Sequence, residues 1–265
     1  MAQPLLYGIR ILEVTTAFAG AWAAEILAEM GAEVIKIESI QRVEGITRMT
    51  DYAEGEPGDE PWNRGGAFHG IGAGKYGITL NLNSPQGLSI FKRLVKISDV
   101  VVENFSPRVM ENFGLDYNTL KQIKPDIIMV SMSGHGHTGP YSNRAAFAQV
   151  MEAEAGLPSV TGYIDDKPVL SSTAFGDYTL AVCGAASVLL ALHHRHRTNE
   201  GQYIDVAGRE AILGQLGEMI LDYTMNGRIW GLGGNRHTSM APHGCYRCKG
   251  EDEWLAIAIS TDEEW

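Results

Sequence analysis

The chain has 265 residues, 45% of them hydrophobic and 20% charged, an ordinary globular make-up with length enough to bury a core as one large domain or two unequal ones. The formal net charge is -11, and Lys and Arg are scattered except for the short run 195–197, so no basic face for a nucleic acid is evident. Residues 1–8 lack a charged-then-apolar signal pattern, and the longest apolar stretch, 181–192, is too short to span a bilayer; a cytoplasmic protein with no membrane partner is expected.

In chain order, residues 9–14 predict an apolar strand, 21–30 an Ala-rich helix and 34–37 a second strand, together a βαβ unit. The pattern recurs with strand 77–82, helix 84–97, strand 100–102, helix 117–123 and strand 127–131. Strands alternating with helices imply an α/β fold, a Rossmann-like parallel sheet covered on both faces. A loop rich in Gly, His and Thr follows, then a helix over 147–154, a short strand at 169–171 and a long apolar helix over 177–194. Strand 203–206 and helix 210–225 close this region, so a large domain is placed at 1–225. Residues 227–244 are polar and glycine-dense and read as a mobile connection. Beyond it, 245–247 and 254–259 flank Lys249-Gly250-Glu251-Asp252 as a hairpin, so 226–265 is expected to be a linker and the start of a smaller α+β domain. The last residues, Thr261-Asp262-Glu263-Glu264-Trp265, have the signature of a helix start. They suggest a piece of a longer chain, or else a short subunit completed by another.

Several common site motifs fail. The turn Thr15-Thr16-Ala17-Phe18-Ala19-Gly20-Ala21 carries one glycine where a dinucleotide fingerprint needs three. Gly70-Ile71-Gly72-Ala73-Gly74-Lys75-Tyr76 resembles a phosphate loop, but His69 and Tyr76 occupy positions that need Gly and Ser or Thr. Cys183, Cys245 and Cys248 are an odd, sparse set, and the Cys-x-x-Cys pair has no companion pair at zinc-site spacing; reduced thiols and no metal site are expected. His193, His194 and His196 sit at a helix end, where cations suit the dipole.

What remains is an ordered set of strings. It begins with Tyr7-Gly8-Ile9-Arg10-Ile11-Leu12-Glu13-Val14, continues through Phe18-Ala19-Gly20 and Gly31-Ala32-Glu33-Val34-Ile35-Lys36-Ile37-Glu38, and then Lys75-Tyr76-Gly77-Ile78-Thr79-Leu80-Asn81-Leu82. Later members are Val102-Glu103-Asn104-Phe105, Ser133-Gly134-His135-Gly136-His137-Thr138-Gly139-Pro140-Tyr141, Phe175-Gly176-Asp177 and Glu200-Gly201-Gln202-Tyr203-Ile204-Asp205-Val206. This order and spacing resemble the family III CoA-transferases, the group of formyl-CoA and carnitine CoA-transferases, across essentially the whole chain.

The resemblance implies an enzyme that moves coenzyme A from an acyl-CoA to a carboxylic acid, both as substrates, with no permanently bound cofactor. An active-site Asp attacks the thioester in that family, and the matching residue here is Asp177. Read from position alone, a helix start supplies free amides and positive potential that hold a carboxylate ionised, and Gly176 admits the thioester; Asp is equally a favoured helix cap. For CoA the resemblance points to Thr16, Phe18, Ala19 and Gly20, and to Lys75, Asn104, Phe105 and Arg108. Lys75 and Arg108 suit phosphates, and Phe105 suits the adenine. Ala21 stands where the family usually has Pro after Ala-Gly. His135 and His137 could act as acid-base groups, although exposed loop residues are the plainer reading, and Glu152 could lie near the site or face solvent. The rival family, the α-methylacyl-CoA racemases, uses a His in a Gly-His-Asp string; the corresponding stretch here is Arg144-Ala145-Ala146-Phe147-Ala148, and Phe147 cannot move a proton. The glycine-rich lid of the formyl-CoA transferases is replaced by residues 236–242. Family members form interlocked homodimers, so a homodimer or a complementary subunit pairing is expected.

Overall fold

The structure, a computed structural model, describes residues 3–171 and 174–265. Its first half runs β1 (Arg10–Val14), α1 (Ala19–Glu29), β2 (Glu33–Glu38), α2 (Gly45–Arg48), α3 (Gly66–Ile71), β3 (Lys75–Thr79), α4 (Pro85–Lys96) and β4 (Val100–Glu103). The second half continues α5 (Val109–Asn112), α6 (Tyr117–Ile123), β5 (Ile128–Ser133), α7 (Ala148–Ala155), α8 (Phe175–Thr198), β6 (Tyr203–Ala207), α9 (Gly208–Gln215), α10 (Gly217–Asn226), β7 (His243–Arg247) and β8 (Trp254–Ala258). Six strands form one parallel sheet in the order β3-β2-β1-β4-β5-β6, and β7 pairs antiparallel with β8. The strand order reverses between β1 and β4, and open α/β sheets place ligands at such a crevice, beyond the carboxyl ends of the strands.

The near-continuous apolar runs of β1, β4 and β5 exist because both faces of the sheet are covered. On one face Ile11, Val34, Val102, Ile128 and Val130 pack with α1 and α8. On the other, Leu12, Val101 and Met129 pack with Phe91 and Val95 of α4 and Leu120 of α6. Helix α1 is Ala-rich because Ala19, Ala23 and Ala24 are buried in the α8 side of the core, where small side chains permit close approach. Two helix starts carry ordinary side-chain caps: Ser84 accepts from the Gly87 amide at 3.0 Å and Asp116 from the Thr119 amide at 3.1 Å.

Three expectations are corrected. Residues 169–171 form no strand; the amide of Val169 makes a single bond to the Thr161 carbonyl at 2.9 Å. The helix expected over 210–225 is two helices, α9 and α10, broken at Leu216, whose backbone leaves helical geometry. The segment between β2 and β3, to which no element was assigned from sequence, contains the short helices α2 and α3. The apolar stretch at 181–192 belongs to a helix of 24 residues, long and apolar enough to cross a bilayer. Its apolarity has a core explanation, since Leu180, Ala181, Ala185, Val188 and Ala191 pack against α1 and the sheet.

Candidate active site at the strand crevice and the start of α8

After Val14 the chain turns through Thr15, Thr16 and Ala17 into α1, alongside the end of β4. Asn104 fastens this turn: its Oδ1 accepts from the Thr16 amide at 2.8 Å and its Nδ2 donates to the Thr16 carbonyl at 2.7 Å. Gly20 allows the approach, because a Cβ there would stand 2.6 Å from Thr15 Cγ2 and 3.2 Å from Asn104 Cβ. Thr16, Ala19, Gly20 and Asn104 are thus brought together at the crevice, with Thr16 exposed and Ala19 and Gly20 buried. Phe18 stacks on Trp22 with ring centroids 5.0 Å apart, and Trp22 stacks on Tyr178 at 3.7 Å. This aromatic ladder joins the first turn to the residue that follows Asp177. The sequence reading missed Trp22 and Tyr178; the spacing of Phe18 and Trp22, four apart at a helix start, was the available signal.

Beneath the turn lies a buried charge cluster. Glu13 is fully buried; its Oε1 takes Lys36 Nζ at 2.6 Å and Thr15 Oγ1 at 2.6 Å, and its Oε2 takes Lys75 Nζ at 2.8 Å. Burial alone would raise the Glu13 carboxyl, but the two ammonium groups bring it below its ordinary value. Burial lowers the Lys75 ammonium against the pull of Glu13. Lys75 also donates to the Ala21 carbonyl at 2.7 Å, and its side chain is 2% exposed. Lys75, expected to suit a phosphate, thus meets Glu13 and the first turn of α1 in this structure. Phe105, expected to face adenine, packs half-buried against the core cluster of Leu12 and Phe91. Arg108 is exposed, in a left-handed backbone conformation at the start of α5.

Arg108 borders a cavity of about 600 Å³ on the sheet face away from α8, together with Glu103, Tyr117, Ser131, His137 and Tyr203. Glu103 is fully buried, and burial raises its carboxyl even though Ser131 and the Phe105 amide oppose the rise. The exposed-loop reading of the two histidines is corrected. His135 is 6% exposed, with Nε2 3.4 Å from Glu154 Oε2. The amide of His137 donates to both carboxylate oxygens of Asp205, at 3.0 and 2.9 Å, its Nδ1 lies 3.2 Å from the Tyr203 hydroxyl, and its Nε2 lies 3.7 Å from Glu103. These contacts anchor the glycine-rich loop to β4 and β6.

Asp177 is the third residue of α8 and half-buried. The helix is capped by other groups. Ser171 Oγ accepts from the Phe175 amide at 3.2 Å, and Oε1 of the fully buried Glu152, from α7, accepts from the Gly176 amide at 3.2 Å. Glu152 also takes the Ser171 amide at 3.1 Å and the Ser171 hydroxyl at 2.8 Å. The amide of Asp177 itself bonds the Ala174 carbonyl at 2.9 Å. Among the described residues no hydrogen bond reaches the Asp177 carboxylate, so it is not the cap. Nor are the helix amides free to hold it ionised: burial, and then the charge of Glu152, push its carboxyl up from 3.8 to about 6. Gly176 also serves a different purpose from the one expected, since a Cβ there would meet the Ala148 carbonyl at 2.8 Å and Ile212 at 3.2 Å; it lets α8 seat on α7 and α9. Phe147, at the start of α7, is 64% exposed.

Comparison with known proteins agrees with this architecture. The model of CoA-transferase family III matches residues 6–265. The alpha subunit of succinyl-CoA--L-malate CoA-transferase from Chloroflexus aurantiacus is 36% identical over 259 residues, which are 97% of this chain and 59% of that protein. Succinate--glutarate CoA-transferase of Agrobacterium fabrum is 32% identical over 263 residues, covering 99% of this chain and 65% of its own length. A crystal structure of a CAIB/BAIF family protein from Brucella suis superposes with a TM-score of 0.88 at 32% identity, over 99% of this chain and 68% of that one. The chain spans 59% and 65% of the lengths of these two curated relatives. With the fold, the matched sequence and the relatives in agreement, the chain belongs to CoA-transferase family III.

Proposed function

We propose that the protein transfers coenzyme A from an acyl-CoA thioester to a carboxylic acid, with Asp177 as nucleophile. The observation that carries this reading is a half-buried carboxyl, raised to about 6, that makes no capping bond among the described residues while Glu152 and Ser171 cap its helix. A carboxylate relieved of hydrogen bonds and partly desolvated is a stronger nucleophile than a solvated one, and above pH 6 it is mostly ionised. Its oxygen attacks the thioester carbonyl, and collapse of the adduct expels the CoA thiolate and leaves an acyl-aspartyl anhydride. The thiolate then attacks the aspartyl carbonyl, releases the donor carboxylate and forms an aspartyl-CoA thioester. The acceptor carboxylate displaces the thiolate to give a second anhydride, and the thiolate attacks its acceptor carbonyl, which yields the new acyl-CoA and regenerates Asp177.

CoA enters this reading along the crevice, over the turn of Thr16, Phe18, Ala19 and Gly20 that Asn104 holds, with Arg108 as the exposed cation for a phosphate. Short dicarboxylic acids are the substrate class, because the relatives carry names with malate, glutarate and mesaconate. Relatives at 36% and 35% identity carry alpha and beta subunit names, in keeping with either a homodimer or a pairing of complementary chains. The racemase alternative gains no support at Phe147, an exposed hydrocarbon ring.

Incubation with succinyl-CoA, hydroxylamine trapping and peptide mass spectrometry should find the hydroxamate on Asp177. Modification at another residue, or deuterium uptake at the acyl α-carbon without any adduct, would sink the proposal.

A further inference from the structure

Three groups outside the steps above invite a role: the Glu103–His137 pair at the cavity behind the sheet, the cluster of Arg144, Arg209 and Glu154 around Tyr141, and Glu152. The first two hold together mainly by contacts of their own, His137 with Tyr203 and Asp205, and both guanidiniums on the Tyr141 ring. Glu152 differs because its bonds reach the helix turn that carries Asp177.

A fully buried carboxylate needs partners to offset its desolvation, and Glu152 has three donors: the amide and hydroxyl of Ser171 and the amide of Gly176. Two of them come from the segment that leads into α8 and one from the helix itself. Ser171 in turn takes the Phe175 amide at 3.2 Å, so the entry into α8 and its first two amides hang on one side chain from a different helix. The usual arrangement at such a place has the local acid, here Asp177, reach back to the helix amides. Here the Gly176 amide is held by Glu152 instead. Among the described residues Asp177 is left without a hydrogen bond to its carboxylate, one residue past Gly176, with a like charge behind it.

We propose that Glu152 is a positioning residue for Asp177: it takes over the capping of the first turn of α8 and so leaves the Asp177 carboxylate available to substrate. The proposal rests on the reading of Asp177 as nucleophile. The raised Asp177 carboxyl is in keeping with it, burial being the larger cause and Glu152 the second. The other charged groups on the packed elements do not act on Asp177. Glu154 of α7 faces His135, Arg144 and Arg209, the last at the start of α9, and Glu25 of α1 responds to Lys75, Glu29 and Glu13. Glu210 of α9 has no part in the causes that move Asp177.

The test compares wild-type protein with Glu152→Gln and Glu152→Ala. Carbon-13 NMR of aspartate-labelled protein follows the Asp177 carboxyl directly, with Asp177→Asn identifying its signal, and does so whether or not the protein turns over. In Glu152→Gln the titration midpoint should fall by about one unit, because the like charge is gone. The acid limb of hydroxylamine trapping should move down with it. In Glu152→Ala, hydrogen exchange at the Gly176 amide should speed up by about tenfold or more as its acceptor is lost. A residue that served stability alone would lower the yield of folded protein and leave both the midpoint and the limb of the folded fraction in place, and that result would overturn the proposal. Should wild-type protein form no Asp177 adduct at all, the nucleophile reading fails first, while the NMR midpoint still decides whether Glu152 governs Asp177.

Discussion

Asn104 holds Thr16 by both backbone groups, accepting from its amide at 2.8 Å and donating to its carbonyl at 2.7 Å. One side chain at the end of β4 thus satisfies the donor and the acceptor of a turn that belongs to neither helix nor strand, at the crevice where the strand order reverses. Replacing Asn104 by Ala should cost about 1–2 kcal/mol of stability for the pair of bonds and weaken CoA binding several-fold, because the turn no longer holds one shape. Asn104→Asp should restore the bond from the Thr16 amide only. Isothermal titration with CoA and urea denaturation of the same samples check both effects; an Ala variant that binds CoA as wild type does would show the turn is held by other means.

The cluster of Glu13, Lys36 and Lys75 predicts an asymmetry between its members. Glu13→Gln leaves two buried ammonium groups facing a neutral amide, which should cost about 3–5 kcal/mol. Lys75→Met leaves Glu13 still paired with Lys36 at 2.6 Å and should cost less. If Lys75 is structural, the salt dependence of CoA binding to Lys75→Met will match wild type, since no phosphate contact is lost. A shallower salt slope with unchanged thermal stability would return Lys75 to the phosphate.

Asp177 carries a pH signature in stability. Its folded value of about 6 lies above the ordinary 3.8, so protonation favours the native state: this contribution is full below about pH 4 and is lost as pH rises through 6. Above pH 7 the ionised group costs the fold about 3 kcal/mol, which Asp177→Asn removes. The variant should be the more stable protein at pH 8, with the gap closing toward pH 4, while trapping of an acyl adduct disappears. Equal denaturation midpoints at pH 8 would show that the carboxylate is not strained.

Gly176 predicts a steric effect one residue away from the chemistry. A Cβ at 2.8 Å from the Ala148 carbonyl cannot be relieved by a side-chain rotation, because the obstacle is backbone. Gly176→Ala should therefore lower stability by about 1–3 kcal/mol and reduce adduct formation at Asp177 by shifting the first turn of α8. Gly214→Ala, with open space around its Cβ, is the control expected to leave both unchanged.

The sequence made the sheet legible because β1, β4 and β5 are buried on both faces and so read as near-continuous apolar runs, while α4 and α6 announce themselves with Ser84 and Asp116. The same reading failed at 169–171, where three residues of strand-like composition find no neighbouring strand, and at 216, where a local change of backbone angle leaves no mark in residue type. Of the site, Asp177 and the turn around Thr16 could be picked out from ordered strings. Glu152 could not be assigned, since a lone acid in a short helix looks the same whether it faces water or is fully buried.

By itself, then, the amino-acid order determined the parallel α/β sheet, the family and the acid at the start of the long helix, because these depend on periodicity and on motifs contiguous in the chain. Only the tertiary structure decided what each charge is for. Lys75 lies 62 residues from Glu13 and Glu152 lies 24 from Gly176, and each meets its partner through packing between elements. That packing pairs Lys75 with Glu13, gives the capping of α8 to Glu152, and leaves Asp177 half-buried and harder to ionise than an aspartate in water.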